Sequence, residues 1–256
     1  MTAVALHHEL AGAEDAAPLL LGSSLGTTLA MWDPQVPSLA ARLRVIRFDH
    51  RGHGRSPVPR GPYAMADLGA DVLELLDRLG IERASYCGIS MGAMVGLWLA
   101  ANARERIDRL VLIGASAHVP APSAWTERAA RVREAGSPAV IADTVVGRWF
   151  TSGFAREHPD VVERHRAMIA ATPAESYAGC CEAIAELDLE AALPGIRAST
   201  LVLAGGEDPS IPPEHGRAIA ESVPGARFQV IEPAAHLASV EQAEAVTRLI
   251  VEHMAN

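Results

Sequence analysis

Short apolar runs alternate with amphipathic stretches through the first part of the chain. The runs have the length and the Leu, Val and Ile content of buried strands. The stretch from Tyr63 to Leu79 carries apolar residues at close to a 3.6-residue period and is followed by Gly80, which predicts a helix that ends there. The pattern predicts strands at residues 18–21, 44–48, 84–87 and 107–113, and helices at 63–79 and 91–103.

The middle of the chain has a different pattern, which is helical throughout. Candidate helices lie at residues 123–134, 138–150, 159–170 and 174–187. Alternation then resumes with a strand at 200–204, a helix at 213–222, a strand at 227–231 and a helix at 240–253. Such alternation predicts an α/β fold with a mostly parallel central sheet flanked by helices.

The helical block divides the α/β pattern into two parts. We expect a core of residues 1–119 and 194–256 and an inserted helical cap, or lid, at 120–193. The cap should cover the carboxyl ends of the strands, because open α/β sheets bind ligands at that edge.

Composition narrows the possible functions. The chain has 256 residues, of which 49% are hydrophobic and 21% charged, which fits one α/β domain with an insertion and argues against disorder. All 22 basic residues are Arg, so Schiff-base lysines, a Walker A lysine and a Ser–Lys dyad are excluded. The net charge is −9 without a dense Arg cluster, so we expect no nucleic-acid partner, and an anionic ligand would need local cations.

The cysteines and the hydropathy of the chain indicate where in the cell the protein is located. The three cysteines, Cys87, Cys180 and Cys181, do not form a disulfide framework or a zinc motif, so we expect a reducing, cytoplasmic location and no metal. Residues 1–10 lack the basic start of a signal peptide. Residues 84–103 are uncharged, but they divide into a strand pattern and a helical pattern and predict buried core, so we expect no membrane partner.

The segment Gly88-Ile89-Ser90-Met91-Gly92 matches the pattern G-x-S-x-G. A predicted strand precedes it and a predicted helix follows it, which is the context of a nucleophile elbow, where Ser is exposed on a tight strand-to-helix turn. The alternative is a Gly-rich helix start with an N-capping Ser. The context favours Ser90 as a nucleophile.

A nucleophilic Ser needs a His base that is oriented by a carboxylate, in the chain order Ser, Asp or Glu, His. His236 follows the last predicted strand, whereas the other histidines precede Ser90, lie before or in the cap, or fall inside predicted helices. Asp208 or Glu207, after the strand at 200–204, could be the acid. Asp208 is favoured because Pro209 keeps its backbone extended.

Backbone N–H groups should stabilise the oxyanion of the reaction. The residue after the nucleophile, Met91, is one donor, and Ser24, in the small loop after the first strand, is the candidate for the second. The segment 49–56 contains two His and two Arg, and we interpret it as a structural connection beside the elbow rather than a metal site.

The cap offers candidate substrate contacts. Trp125, Arg128 and Arg131 share one helix face by their spacing, and Trp149 is a further candidate. The alternative is an amphipathic helix with solvated Arg side chains. The sequence leaves both interpretations open.

Several segments carry a family resemblance over essentially the whole chain. The chain resembles the α/β-hydrolases and, more narrowly, the 3-oxoadipate enol-lactonases of aromatic catabolism. The segments that carry the resemblance are residues 22–27 (GSSLGT), 31–33 (MWD), 49–56 (DHRGHGRS), 125–129 (WTERA), 177–181 (YAGCC) and 235–237 (AHL).

The resemblance implies Ser90 as nucleophile, Asp208 as acid and His236 as base, with oxyanion donors from Ser24 and Met91 and no cofactor. It implies a serine hydrolase of the β-ketoadipate pathway, which opens the anionic 3-oxoadipate enol-lactone to 3-oxoadipate through an acyl-enzyme. Many relatives have His-Gly at positions 22–23, where this chain has Gly-Ser, and a third Gly at position 93, where it has Ala.

Three alternatives remain open at the level of sequence. The same triad could serve a general carboxylesterase or a cofactor-free perhydrolase. A protein of another class, a non-catalytic α/β-hydrolase used as a small-molecule receptor, usually lacks a member of the triad. The oligomeric state is not predicted by the sequence.

Overall fold

The computed structural model describes residues 2–255. Within that range, seven strands form one sheet in the order β1-β3-β2-β4-β5-β6-β7, which is parallel except for β1. The strands are β1 His8–Ala11, β2 Pro18–Gly22, β3 Arg44–Phe48, β4 Ala84–Ile89, β5 Ile107–Ile113, β6 Ser199–Gly205 and β7 Arg227–Ile231.

Helices fill the connections between the strands. Two 3₁₀ turns, Leu29–Trp32 and Glu190–Gly195, accompany them. The helices are α1 Val36–Ala40, α2 Met65–Arg78, α3 Met91–Asn102, α4 Pro122–Ala135, α5 Ala139–Val146, α6 Ser152–Glu157, α7 Pro159–Ala171, α8 Ala174–Ala185, α9 Pro213–Ser222, α10 Ala238–Glu241 and α11 Ala243–Ala255.

The predicted strands and most predicted helices are confirmed, and the differences have local causes. Strand β1 was not predicted because it is a short edge strand whose residues are half-buried or exposed and form no apolar run. The predicted helix at 138–150 ends at Val146, and Gly147 follows it. Helix α6 begins at an N-cap, where the Thr151 side chain accepts the Phe154 N–H. The predicted helix at 240–253 is two helices that are separated at Gln242.

The centre of the sheet is the most deeply buried part of the core. Every residue of β4 is buried, and helix α3, which follows it, is buried on nearly all sides. The uncharged stretch at 84–103 is therefore a core strand and a core helix. In the described part of the chain no helix has the length and apolar character needed to cross a bilayer.

The residues between β5 and β6 carry five helices, α4 to α8, and we call residues 120–193 the cap. The two ends of the cap connect to the carboxyl end of β5 and to the amino end of β6. In a parallel sheet all carboxyl ends lie at one edge, so the loops after β4, β6 and β7 meet there. These are the loops that carry Ser90, Asp208 and His236.

Candidate active site

Ser90 lies on a strained turn between β4 and α3. Its φ of 54° and ψ of −121° make it the one non-glycine residue with a positive φ among the described residues. The backbone is held on both sides, because the Ser90 N–H donates to the Ile113 carbonyl (2.9 Å) and its carbonyl accepts the Met94 N–H (3.0 Å). A strained backbone conformation that the surrounding structure holds in place is typical of functional sites.

The glycines around Ser90 allow the close packing that this turn requires. A Cβ atom on Gly92 would lie 2.3 Å from the Gly22 carbonyl oxygen, and one on Gly88 would lie 2.4 Å from the Gly92 backbone. Side chains at these positions would push the elbow away from β2. The two glycines of the pattern G-x-S-x-G therefore have a steric role at this turn.

Asp208 and His236 form a buried pair. The His236 Nδ1 and Asp208 Oδ2 atoms are 2.7 Å apart, and both residues are almost fully buried. The other carboxylate oxygen of Asp208 accepts the N–H groups of Ser210 (2.8 Å) and Ile211 (3.0 Å). Because a carboxylate only accepts hydrogen bonds, Nδ1 carries a proton, and in the neutral imidazole the lone pair is therefore on Nε2.

The neighbouring carboxylate, Glu207, has a different position. Its side chain is exposed, and its backbone N–H donates to the Ala234 carbonyl (2.9 Å). Of the two acids that the sequence offered, the structure therefore brings Asp208 to His236.

A cavity of about 190 Å³ joins Ser90 and His236 with the cap. The core contributes Ser24 and Leu25 beside them, and the cap closes the other side. The cap residues in its lining are Ala124, Trp125, Arg128, Thr144, Val145, Arg148, Trp149 and Tyr177.

The loop after β2 is held in place by several hydrogen bonds. The Ser24 N–H donates to the Met31 sulfur (3.3 Å), and the Thr27 hydroxyl donates to the Ser24 carbonyl (2.7 Å). A thioether is a weak acceptor, so a developing oxyanion would compete well for the Ser24 N–H. The Met91 N–H lies in the first turn of α3, where a helix leaves N–H groups without intrahelical partners.

The segment at 49–56 supports this loop from behind. His53 Nε2 accepts the Gly26 N–H (3.0 Å), and Asp49 accepts the Leu29 N–H (2.8 Å). Arg51 forms a fully buried ion pair with Asp71 (2.6 Å). The interpretation of this segment as structural therefore agrees with its contacts.

Arg128 has the best-defined position of the cap candidates. Its guanidinium lies 4.5 Å from the centre of the Trp125 ring, and both residues line the cavity, as does the buried Trp149. Burial raises the pKa of the Tyr177 phenol, and the nearby Arg128 opposes that rise. The guanidinium therefore makes a cation–π contact with Trp125 at the cavity wall.

Arg131 does not reach the cavity, although its spacing predicted that it would share a helix face with Arg128. It is exposed, donates to the Val140 carbonyl (3.2 Å) and lies in an outer hollow with Arg128 and Arg148. Arg148 lines both the cavity and the outer hollow. The second arginine at the cavity is therefore Arg148, which lies just after α5 and not in α4.

Sequence reasoning missed the roles of three further residues. Tyr177 lines the cavity from α8, and its segment was noted only as a point of resemblance. Ser210 and Ile211 hold Asp208 through their N–H groups. The sequence Asp-Pro-Ser contained a signal for that contact, because Asp side chains commonly accept the N–H two residues on.

The three cysteines are free and buried, and burial disfavours their nucleophilic thiolate forms. Burial raises the pKa of the Cys181 thiol to about 12, and those of Cys87 and Cys180 are also raised by burial. Within residues 2–255, no cluster of three or more His, Cys, Asp or Glu side chains is arranged as a metal site.

Comparison with known proteins assigns the fold to a family. The family model described as alpha/beta hydrolase fold matches residues 17–243. The 3-oxoadipate enol-lactonase 2 of Acinetobacter baylyi is 40% identical over 96% of this chain and 92% of its own length. A candidate carbamate hydrolase of Stutzerimonas stutzeri is 30% identical over 98% of this chain and 97% of its own.

A solved structure agrees with this assignment. The crystal structure of the enol-lactonase from Burkholderia xenovorans superposes with a TM-score of 0.95 and 40% identity, and the match covers 98% of this chain and 96% of that one. The chain therefore belongs to the α/β hydrolase family, and it is an ester-hydrolysing enzyme.

Proposed function

We propose that this enzyme is a 3-oxoadipate enol-lactonase, which opens the lactone ring with a Ser90–His236–Asp208 triad. The observation that carries the proposal is the buried Asp208–His236 pair, which opens onto the same cavity as the strained Ser90. Identities of 35–40% to curated enol-lactonases support the choice of substrate.

In the first half of the proposed reaction, Ser90 Oγ attacks the lactone carbonyl and His236 Nε2 accepts the hydroxyl proton. Asp208 holds the imidazole in the tautomer that makes this possible and stabilises the imidazolium. The tetrahedral oxyanion is stabilised by the N–H groups of Ser24 and Met91, each donor being worth about 3–4 kcal/mol of barrier. The Ser24 N–H would exchange the Met31 sulfur for the stronger acceptor.

The ring then opens with an enol as leaving group, which takes a proton from His236 and tautomerises to the ketone. The enol stays attached to the acyl group, because both belong to the same ring. In the second half, water attacks the acyl carbonyl while His236 accepts its proton. The bond to Ser90 Oγ then breaks, His236 returns the proton to Ser90, and the product is released as a carboxylic acid that ionises in water.

The carboxylate of the substrate needs a cation in a chain of net charge −9. Arg128 is the best candidate, because its guanidinium lies over the Trp125 ring and both residues line the cavity. Arg148 is the second, since it also lines the cavity. The proposed steps need no metal or other cofactor.

The three free cysteines are consistent with our expectation of a reducing, cytoplasmic location.

Substrate preference distinguishes this proposal from its rivals. We expect the kcat/KM for the enol-lactone to exceed that for p-nitrophenyl acetate and for an aryl carbamate by at least two decades. A preference for the acetate would favour a general carboxylesterase or perhydrolase. A preference for the carbamate would favour the activity named for the Stutzerimonas relative.

Arginine variants test the site of recognition. Arg128→Gln should raise the KM for the lactone about tenfold, because a change of 1.4 kcal/mol in binding is a factor of ten. Its effect on p-nitrophenyl acetate should be small, since that ester has no carboxylate. Arg131→Gln is the matched control and should leave both values within twofold. An unchanged lactone KM in Arg128→Gln would contradict the assignment of this cation.

A non-catalytic receptor is the alternative of another class. A fluorophosphonate reacts covalently with an activated serine, so it should label the wild-type protein at Ser90. Absence of labelling would favour the receptor.

A further inference from the structure

Two hydrogen-bonded connections join the loop of His236 to the cap. On one side, the Leu237 N–H donates to the Trp149 carbonyl (3.0 Å). On the other, the Ala235 N–H donates to the Glu241 carboxylate, whose second oxygen accepts the Thr151 N–H (2.6 Å). The two neighbours of His236 in sequence are therefore both attached to the cap segment 149–151.

Glu241 is held in position for this role by its own helix turn. Its N–H donates to the Leu237 carbonyl (3.1 Å), which closes the turn after His236. The turn is fixed to the core, because the buried Gln35 side chain donates to the Ser239 carbonyl (2.7 Å). Hydrogen bonds to a carboxylate are roughly twice as strong as neutral ones, so Glu241 joins core and cap firmly.

The cap segment that Glu241 holds also forms part of the cavity wall. The Trp149 side chain lines the cavity, while the carbonyl of the same residue accepts the Leu237 N–H. A movement of residues 149–151 must break both connections or displace His236 with it. The position of the imidazole is thus coupled to the closed cap.

We propose that Glu241 is a positioning residue, which fastens the loop of the general base to the cap and so aims His236 Nε2 at Ser90. This inference rests on the proposed function, because it assumes that His236 is the base for Ser90. Glu241 is not among the residues that line the cavity. A misplacement of about 1 Å at a reacting group is enough to cost up to about a hundredfold in rate.

The rate of fluorophosphonate labelling of Ser90 measures how well His236 is positioned to activate that serine. In Glu241→Gln one carboxylate oxygen becomes an NH₂ group, which faces the N–H of either Thr151 or Ala235 and cannot accept from it. One of the two hydrogen bonds of Glu241 is therefore lost. We expect labelling and the kcat for p-nitrophenyl acetate to fall about tenfold, with KM within twofold. Glu244→Gln, an exposed position in α11, is the matched control and should react at the wild-type rate.

The partner on the cap side provides a second, independent test. Thr151 has a φ of −63°, which proline adopts, so Thr151→Pro removes the N–H that Glu241 accepts with little change in the backbone angle. Thr151→Ala keeps that N–H and removes only the side-chain cap of α6. We expect Thr151→Pro to slow labelling about as much as Glu241→Gln, and Thr151→Ala to leave it within twofold.

The double variant decides whether the two residues act together. Combining Glu241→Gln with Thr151→Pro should slow labelling by less than the product of the separate effects, because both changes disturb one connection. Labelling at the wild-type rate in both single variants, or an equal loss in Thr151→Ala and Thr151→Pro, would overturn the inference. If Glu241→Gln does not fold, the comparison of Thr151→Pro with Thr151→Ala tests the inference instead. A wild-type protein that is not labelled would refute the proposed function and the positioning role with it.

Discussion

Replacing Asp208 by Asn should move the proton of His236 to the wrong nitrogen. One carboxylate oxygen accepts two backbone N–H groups, from Ser210 and Ile211, at 2.8 and 3.0 Å. In the variant the amide oxygen must occupy that place, because an NH₂ group there would face two donors. The NH₂ group then lies opposite Nδ1, which is 2.7 Å away in the wild type, and donates to it. The imidazole proton therefore moves to Nε2, which can no longer accept from Ser90.

The size of the effect follows from the lost base. The same exchange in a Ser-His-Asp triad lowers kcat about ten-thousand-fold, which is about 5.5 kcal/mol of barrier. KM should change little, because Asp208 does not line the cavity. The buried amide keeps hydrogen-bond partners on both sides, so the variant should fold.

Steady-state hydrolysis of the enol-lactone and of p-nitrophenyl acetate checks this prediction. Glu207→Gln, which changes the adjacent exposed carboxylate, is the matched control and should keep its kcat within twofold. The reasoning is refuted if folded Asp208→Asn retains more than a tenth of the wild-type kcat, or if Glu207→Gln loses more activity than Asp208→Asn.

Three predictions concern stability, measured by urea unfolding. Gly92→Ala should cost about 1–3 kcal/mol or more and most of the activity, because its Cβ meets a carbonyl at 2.3 Å, whereas Gly153→Ala has open space and should be neutral or stabilising. Asp71→Asn should cost about 3–5 kcal/mol, because it leaves the Arg51 charge buried without its partner. Burial lowers the pKa of His50 to about 3. Below pH 6.5 the unfolded chain therefore binds a proton at His50 that the folded chain does not bind, and the free energy of unfolding falls as the pH drops. This amounts to about 2 kcal/mol by about pH 5, a loss that should be absent in His50→Gln.

The sequence was sufficient to predict the six parallel strands of the sheet, β2 to β7, and to select the three residues of the proposed triad. Strands such as β3 and β5 are apolar runs with clear ends, so their bounds follow from local pattern. The candidates Ser90, Asp208 and His236 each follow a strand, and parallel strands bring their carboxyl ends to one edge. Chain order and position were therefore enough to choose them without knowledge of any contact.

Features that depend on packing between distant segments were not predictable in this way. Arg131 shares a helix with Arg128, but helical spacing does not say which side of that helix meets the cavity. Glu241 looks like an ordinary helix residue until the fold places it beside the backbone of Thr151. The edge strand β1 buries too little apolar surface to produce a pattern.

The central claim is that Ser90 forms an acyl-enzyme with the opened lactone. Rapid quenching of the wild-type enzyme with the enol-lactone, followed by intact-protein mass spectrometry, tests it directly. We predict an adduct with the full mass of the lactone, because the leaving enol stays attached, and peptide mapping should place it on Ser90. Turnover that proceeds without such an adduct, and that persists in a folded Ser90→Ala variant, would contradict the account.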